Sequence, residues 1–475
     1  MSKTKKKKEI PENFKIFSWV IIENIISVLV QLISTIVLAR ILSPFDFGII
    51  GMITIFIALS NIIVDSGMGG ALIRKKNVLD EDYSTLFIYN IALSLTIYVI
   101  LFSTSNTIST FYGIKELSRI IKVLTLVVVI NSLTIVQSVN LIKNLKFKKL
   151  AISSIIASLC SFFLALKAAQ YGYGVWALVA QQISFSIIKG ILLLYFNRYM
   201  PKPVFSISSF KEQFYFGINL LGSNLLNVVY NNLSSSIIGK INTPIQAGFF
   251  SQASKFSSIP INISTSVIDK AVYPILTRTA NVKVLFDIYK KYLKAIVITI
   301  VPIIFLVSFS GRDILVILLG AKWLISGDIF RILIYLGVCA PIIYLNRCLF
   351  KALGKTKTIL IIDVINFVIG ISALLISVQH QIKLIAWALV FVSLFNLLLQ
   401  LFVISRIYKE TFWLLVREFV IVILISVILL VLLNIIDRIL LMHEWHRIIT
   451  SFFIAFLFLL ISIRENIKLF SQDEK

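Results

Sequence analysis

The sequence predicts an all-α membrane protein of about fourteen transmembrane helices, two parallel six-helix lobes followed by two C-terminal helices. Three observations predict it: an apolar composition divided into helix-length runs, the sidedness of the basic residues between those runs, and a repeat at an offset of 200 residues.

Of 475 residues, 58% are hydrophobic and 14% charged, with a mean hydropathy of +0.96. A soluble domain has ~45–50% apolar and ~25% charged residues. The departure runs the length of the chain, so lipid is the solvent for most of it. Cys160, Cys339 and Cys348 all fall in apolar runs. Their odd number and wide spacing give neither a disulfide framework nor a metal site. At the N-terminus Lys5 to Lys8 precede an apolar run that Glu23 interrupts, and no small-residue cleavage site closes it. The segment therefore reads as an uncleaved first helix behind a cytoplasmic tail.

Runs of roughly 18–25 residues, long enough to cross ~30 Å of hydrocarbon, fall at 16–39, 47–65, 84–104, 118–139, 151–170, 174–197, 214–238, 246–272, 290–310, 328–350, 359–378, 382–405, 413–434 and 446–463. The seventh and eighth are the least hydrophobic. Their length and continuity exclude a transmembrane β-barrel. Loops are short, the longest being of the kind Thr277 to Asp287, so no separate soluble domain is expected.

The net charge of +24 does not point to nucleic acid, because Lys and Arg lie between apolar runs instead of clustering on a soluble face. With the N-terminal tail in the cytoplasm, 29 of the 46 basic residues fall on that side and 10 on the other, and seven lie in or at the edge of spans. The asymmetry places both termini inside, in a cytoplasmic (inner) membrane, and agrees with an even number of crossings.

At an offset of 200, Asn24 meets Asn224, Ser34 meets Ser234, Arg40 meets Lys240, Ser43 meets Thr243, Pro44 meets Pro244 and Gly48 meets Gly248. Six runs separate the copies, so both begin in the same direction. The expected domains are a basic tail over 1–15, lobes over 16–200 and 201–406 related by a pseudo-twofold along the membrane normal, two further helices over 407–463, and a cytoplasmic tail over 464–475.

A polar residue in a span is costly, so the face that carries it is informative. In the first run Glu23, Ser27, Gln31 and Ser34 share a face; in the seventh, Asn224, Asn227, Asn231 and Ser234 do; in the eighth, Ser251, Lys255, Ser258, Asn262, Thr265 and Asp269 do. Such stripes either join helices by hydrogen bonds or line a shared aqueous cavity. A lysine in mid-span, Lys255, favours the cavity. Glu23 fits an ion pair or ion coupling equally well. Lys270, beside Asp269 near the cytoplasmic end of the eighth run, is an interface anchor or stands where an anionic head group enters. Arg331 and Arg347 lie near opposite ends of the tenth run, and Arg347 has the better claim to a pocket. Lys189 is ambiguous and Lys167 structural. Asp65 ends the second run in Asp-Ser-Gly, a capping and turning signal.

No P-loop is present, so no built-in ATPase is expected. His380, His443 and His446 do not cluster as metal ligands, and Glu444 between the last two reads as surface. No metal and no cofactor are expected. An enzyme is not expected either; a membrane transferase is the reading that composition leaves open.

The stretch Leu38-Ala39-Arg40-Ile41-Leu42-Ser43-Pro44-Phe45-Asp46-Phe47-Gly48 resembles the signature after the first helix of bacterial polysaccharide exporters. Asp65-Ser66-Gly67, Phe111-Tyr112-Gly113, Gly174-Val175-Trp176-Ala177-Leu178-Val179, Gly222-Ser223-Asn224-Leu225-Leu226-Asn227, Ile238-Gly239-Lys240 and Ala352-Leu353-Gly354 continue in register. The chain thereby resembles, over at least residues 14 to 360, the oligosaccharide-lipid (Wzx-type) flippases of the multidrug/oligosaccharidyl-lipid/polysaccharide exporter superfamily. The resemblance implies translocation of an undecaprenyl-pyrophosphate-linked repeat unit to the outer leaflet by alternating access, for capsule, O-antigen or lipopolysaccharide. It also implies two six-helix lobes around a cationic cavity. The substrate is then a lipid-linked oligosaccharide among membrane lipids, with polysaccharide polymerase and glycosyltransferases as the protein partners to look for. The chain departs from the pattern at Asn24, where a basic residue is usual, at Ser234, where an acidic one is, and at Gln252, where an arginine is; Lys255 and Lys270 keep their basic character. The expected substrate-binding residues are Glu23, Asn24, Gln31, Asn224, Asn227, Asn231, Lys255, Asn262, Asp269, Lys270 and Arg347. The alternatives are an ion-coupled multidrug or metabolite antiporter of the same superfamily, which needs acidic cation-binding residues, and a polysaccharide polymerase or ligase, which needs a large outward loop.

Overall fold

The computed structural model describes residues 12–279, 281–409, 412–440 and 443–471. All of the regular structure among them is helical. Within the helices the side chains of residues 12–24, 216, 219, 220, 223, 224, 227, 231, 414, 418 and 467–471 are outside the description.

Two compact units divide the chain, Met1–Lys240 and Ile241–Lys475. In the first lie α1 (Glu12–Ile41), α2 (Pro44–Asp65), α3 (Met68–Arg74), α4 (Asp80–Tyr112), α5 (Glu116–Leu124), α6 (Leu126–Ser132), α7 (Ile135–Lys143), α8 (Phe147–Gln170), α9 (Val175–Phe196) and α10 (Ile207–Ile241). The second holds α11 (Pro244–Val267), α12 (Tyr273–Arg278), α13 (Val282–Leu319), α14 (Leu324–Leu333), α15 (Leu336–Ala352), α16 (Thr356–Ser377), α17 (Ile382–Tyr408), α18 (Phe412–Leu440) and α19 (Glu444–Ser471).

Each of the fourteen apolar runs lies in this helical order. Among the described residues ten helices are long and apolar enough to cross a membrane, or eleven if the bent pair α14–α15 is one span. The chain is thus a multi-pass membrane protein. Two of the differences from fourteen have a physical reason: α11 is long enough but too polar to qualify, and α10, with its asparagines, does not qualify either. Of α1 only Ile25–Ile41, a short apolar helix, has described side chains.

Two other runs are not single straight helices. The fourth remains one span, Glu116–Lys143, but turns at Thr125 and Leu133–Thr134 divide it into α5, α6 and α7. Thr125 Oγ1 donates to the Ile121 carbonyl at 2.7 Å, Ser132 Oγ to that of Val129 at 2.7 Å and Thr134 Oγ1 to that of Asn131 at 3.2 Å, a competition with the backbone ladder that bends helices. The tenth run bends by 42° between α14 and α15. There Tyr335, Gly337 and Val338 bond carbonyls three residues back, and Pro341 has no N–H for the carbonyl of Gly337. The polar loop expected at Thr277 to Asp287 is mostly helix: α12 runs to Arg278, and Asn281 Oδ1 caps α13 by accepting from the N–H groups of Lys283 at 2.9 Å and Val284 at 3.3 Å.

The offset repeat is visible at its turn. In the first unit Ser43 and Asp46 form a reciprocal cap, with Pro44 opening α2. In the second, Thr243 Oγ1 accepts from the N–H of Gln246 at 3.2 Å, with Pro244 opening α11. Pro fits the first helical turn, where its missing N–H has no partner to lose.

The first unit packs around Ile49, Ile53, Leu117, Ile120, Leu124 and Val179, joining α2, α5 and α9. By its contacts α10 groups with the first unit, which runs to Lys240. Gly217 of α10 lies against the Ser66–Gly67 turn so closely that a Cβ on either glycine would meet backbone. Further along, Ser236 Oγ donates to the Met52 carbonyl at 2.7 Å. In the second unit α13 is central, with more than half of its most apolar stretch buried; α19, which packs on it, buries far less. The remaining apolar surface of α18 and α19, including Leu424, Ile428, Phe452 and Phe456, is suited to lipid.

The start of α10 is held by ions. Asp82 is fully buried and accepts from Ser209 Oγ at 2.7 Å, Lys75 Nζ at 3.1 Å and its own cap N–H, that of Leu79, at 2.9 Å. Lys75 also meets Glu212 at 2.8 Å. The Glu212 carboxylate, and Asp82 with it, hold the Lys75 ammonium above its ordinary value of 10.5. A raised lysine pKa stabilises the fold fully below the unfolded value, and that stability is lost as pH rises through the folded value. Proteolysis of the connection before α10 is therefore expected to quicken above about pH 10.5. Lys75→Arg does not titrate there, and equal quickening in that variant would refute the assignment.

Candidate functional site

α11 carries the expected line of polar residues from Ser251 to Thr265 as one helical face, and Asp269 falls in the turn after it. Phe249, Phe250, Ala253 and Phe256 are buried, and α11 packs on α14 and α15. Ser326 Oγ of α14 donates to the Phe249 carbonyl at 2.9 Å, which ties that side down. By contrast Ser251, Lys255, Ser258 and Thr265 are half-buried and Asn262 is exposed. Ser258 Oγ donates to the Lys255 carbonyl at 2.7 Å, and Thr265 Oγ1 to that of Ile261 at 3.0 Å. These hydroxyls bond their own helix, which is not the pattern of a stripe serving as interhelical glue.

At Ile268–Val272 the helix widens into a π turn. Pro274 follows, and it has no N–H for the carbonyl of Lys270 and crowds it, which accounts for the change of register. π turns inside α-helices are frequent at functional sites. This one carries Asp269 and Lys270, both exposed. Tyr344 Oη of α15 donates to Asp269 Oδ1 at 2.6 Å. One turn on, Arg347 Nη2 donates to Asp363 Oδ2 of α16 at 2.7 Å. Lys351 Nζ, another turn on, stands 5.7 Å from the centre of the Tyr273 ring. The second unit thus brings Asp269 and Arg347 into one neighbourhood through Tyr344, while Lys270 is exposed beside Asp269. Arg347, expected as a pocket cation, is engaged by a carboxylate.

In the first unit Gln31 is exposed on α1. Ser34, on the same face, is buried and accepts from Gln181 Nε2 at 2.6 Å. Glu23, Asn24, Asn224, Asn227 and Asn231 lie in helix, but their side chains are outside the described residues. The basic tail expected over 1–15 lies outside them as far as residue 11, and the C-terminal tail from residue 472, α19 continuing helical to Ser471.

Sequence reasoning missed Tyr344 and Asp363. A lone carboxylate in the apolar run 359–378 was a legible signal. The partnership of Tyr344 with Asp269 was not, because it joins residues 75 positions apart.

A family described as polysaccharide biosynthesis protein matches residues 37–328. The chain is 23% identical over 396 residues to teichuronic acid biosynthesis protein TuaB of Bacillus subtilis (strain 168), covering 82% of each chain. It is 23% identical over 324 residues to lipopolysaccharide biosynthesis protein WzxC of Escherichia coli (strain K12), covering 67% of this chain and 66% of that one. In fold it is similar to the structure of lipid II flippase MurJ in an inward closed conformation, with a TM-score of 0.73 and 18% identity over 95% of this chain and 98% of the other.

Proposed function

Since the chain belongs to the polysaccharide biosynthesis protein family, we propose that it is the flippase that carries an undecaprenyl-pyrophosphate-linked oligosaccharide repeat unit from the cytoplasmic to the outer leaflet. The repeat unit serves a surface polysaccharide such as capsule or O-antigen. The helical order is read as fourteen crossings of the cytoplasmic membrane with both termini inside, in two repeated bundles followed by α18 and α19.

A pyrophosphate does not cross hydrocarbon unaided, because removing its charges from water is very costly. The reading rests on one observation: α11 presents a polar face of Ser251, Lys255, Ser258, Asn262 and Thr265, and the π turn that follows it carries Asp269 and Lys270. That face supplies a wet path for head group and sugars. Lys255 and Lys270 act as counter-charges, and Asn262 bonds sugar hydroxyls. The polar faces of α1 and α10, with Glu23, Asn24, Gln31, Asn224, Asn227 and Asn231, serve the same substrate. The prenyl tail stays in lipid. Alternating access exposes the path to each side in turn, driven by the membrane potential or an ion gradient.

Lys255→Ala is expected to lower surface polysaccharide in intact cells at least ~tenfold at unchanged protein level, equivalent to ~1.4 kcal/mol. Lipid-linked precursor is expected to accumulate, and Lys255→Arg to retain most export. Normal export by a normally expressed Lys255→Ala protein would remove Lys255 from the mechanism.

A further inference from the structure

A cavity of about 370 Å³ lies in the second unit, where α13 and α18 end and α14 and α19 begin. None of the residues of the α11 stripe lines it. Its volume falls within the range of small-molecule sites, about 300–1,000 Å³.

Its wall contains three arginines and three carboxylates: Arg312, Arg331 and Arg447 with Asp313, Asp437 and Glu444. Their pairing is uneven. Arg447 takes both oxygens of Asp313, Nε to Oδ2 at 2.7 Å and Nη2 to Oδ1 at 3.1 Å, and reaches Asp437 at 3.3 Å. Arg312 meets Asp328 loosely, with Nε 3.4 Å from Oδ1, and Asp328 also holds Lys383 at 3.0 Å. Arg331 Nε donates to the Ser308 carbonyl at 3.0 Å. Among the described residues the terminal nitrogens of Arg312 and Arg331 make no hydrogen bond to protein, and Glu444 forms no ion pair.

Packing fixes the two arginines beside each other. Ser308 Oγ returns a bond to the Arg331 carbonyl at 2.8 Å. α13 and α14 approach at two glycines: a Cβ on Gly311 would stand 3.0 Å from the Phe330 ring, and one on Gly327 3.0 Å from the Arg312 carbonyl. The backbones are therefore close where Arg312 and Arg331 emerge.

We propose that this cavity binds a hydroxylated oxyanion. The two guanidinium forks take the oxygens of a carboxylate or phosphate, for which their planar donors are matched, and the Glu444 carboxylate accepts a hydroxyl of the same molecule. An acidic sugar residue has this chemistry, and so does the glycerol phosphate of a lipid head group. The site goes beyond the translocation reading and is detected by equilibrium binding alone.

The test is calorimetric titration of the full-length protein, purified in neutral detergent, with glucuronate, with glycerol 1-phosphate, and with glucose as the uncharged control. At least one oxyanion is expected to bind, with glucose at least ~tenfold weaker. Arg331→Gln and Arg312→Gln are each expected to weaken that binding ~tenfold or more without lowering the melting temperature. Should Arg331→Gln prove unstable, Arg312→Gln decides, because that side chain is 42% exposed. Glucuronate binding identifies a glycan source. Binding of glycerol 1-phosphate, with competition by phosphatidylglycerol in nanodiscs, identifies a lipid one. Binding of neither oxyanion, or undiminished binding in the two variants, overturns the proposal.

Discussion

Replacing Asp82 by alanine is expected to release α10 from the first unit and to cost about 3–5 kcal/mol, the range for removing one partner of a buried ion pair. Asp82 is fully buried and is the common acceptor for Lys75, Ser209 and the Leu79 N–H. Its own carbonyl accepts from Gln213 Nε2 at 3.1 Å, so the α10 side of the joint is hydrogen-bonded twice. Without the carboxylate, the Ser209 hydroxyl and the Leu79 N–H lose their acceptor, and Lys75 keeps only Glu212, whose side chain is 61% exposed. Asp82→Asn keeps the shape and one acceptor and is expected to cost about 1–2 kcal/mol, nearer to a hydrogen bond than to a charge. Thermal unfolding in detergent, together with protease sensitivity of residues 198–206, measures both. Wild-type melting and wild-type cleavage in Asp82→Ala would show that the joint does not hold α10.

The second large effect is expected at Arg447. It grips Asp313 in a bidentate bond and Asp437 in a single one, joining α19 to α13 and α18. The Asp313 side chain is only 8% exposed. Arg447→Ala leaves that carboxylate buried and unpaired, at a cost of about 3–5 kcal/mol. The apolar contact of Leu306, Phe309 and Leu433 with Ile454 and Phe458 remains, so α18 and α19 are expected to loosen at this end first. Arg447→Ala combined with Asp313→Ala should recover part of the loss, because the stranded charge is gone. The coupling belongs to the pair, and a double-mutant cycle isolates it. Strictly additive single-mutant costs would show that the two residues do not act together. Arg447→Lys is expected to fall between, since an ammonium does not match the two oxygens in one plane.

The sequence's polar stripes and the structure's polar contacts overlap only in part. Lys255 and Asn262 were found by helical spacing alone, because three- and four-residue steps put them on one face whatever the neighbours are. Arg347 was found as a charge in an apolar run, but its partner Asp363 lies in a different run, and spacing does not pair residues across helices. Asp82, Asp313 and Arg447 stand near helix ends, where a charge is unremarkable in sequence. Their importance comes from burial, which depends on what packs over them.

The amino-acid sequence by itself determined where the helices lie, the turn repeated at Pro44 and Pro244, and the polar face of α11. The reason is that a segment in lipid must satisfy its own backbone, so hydropathy and helical period suffice to place it. Only the tertiary structure decided that turns divide the fourth run and a bend the tenth, that α10 is fastened within the first unit, and which carboxylate holds which cation. Those outcomes rest on glycine contacts and ion pairs between residues far apart in the chain, such as Gly67 with Gly217 and Arg447 with Asp313, whose energies exist only once the helices are side by side.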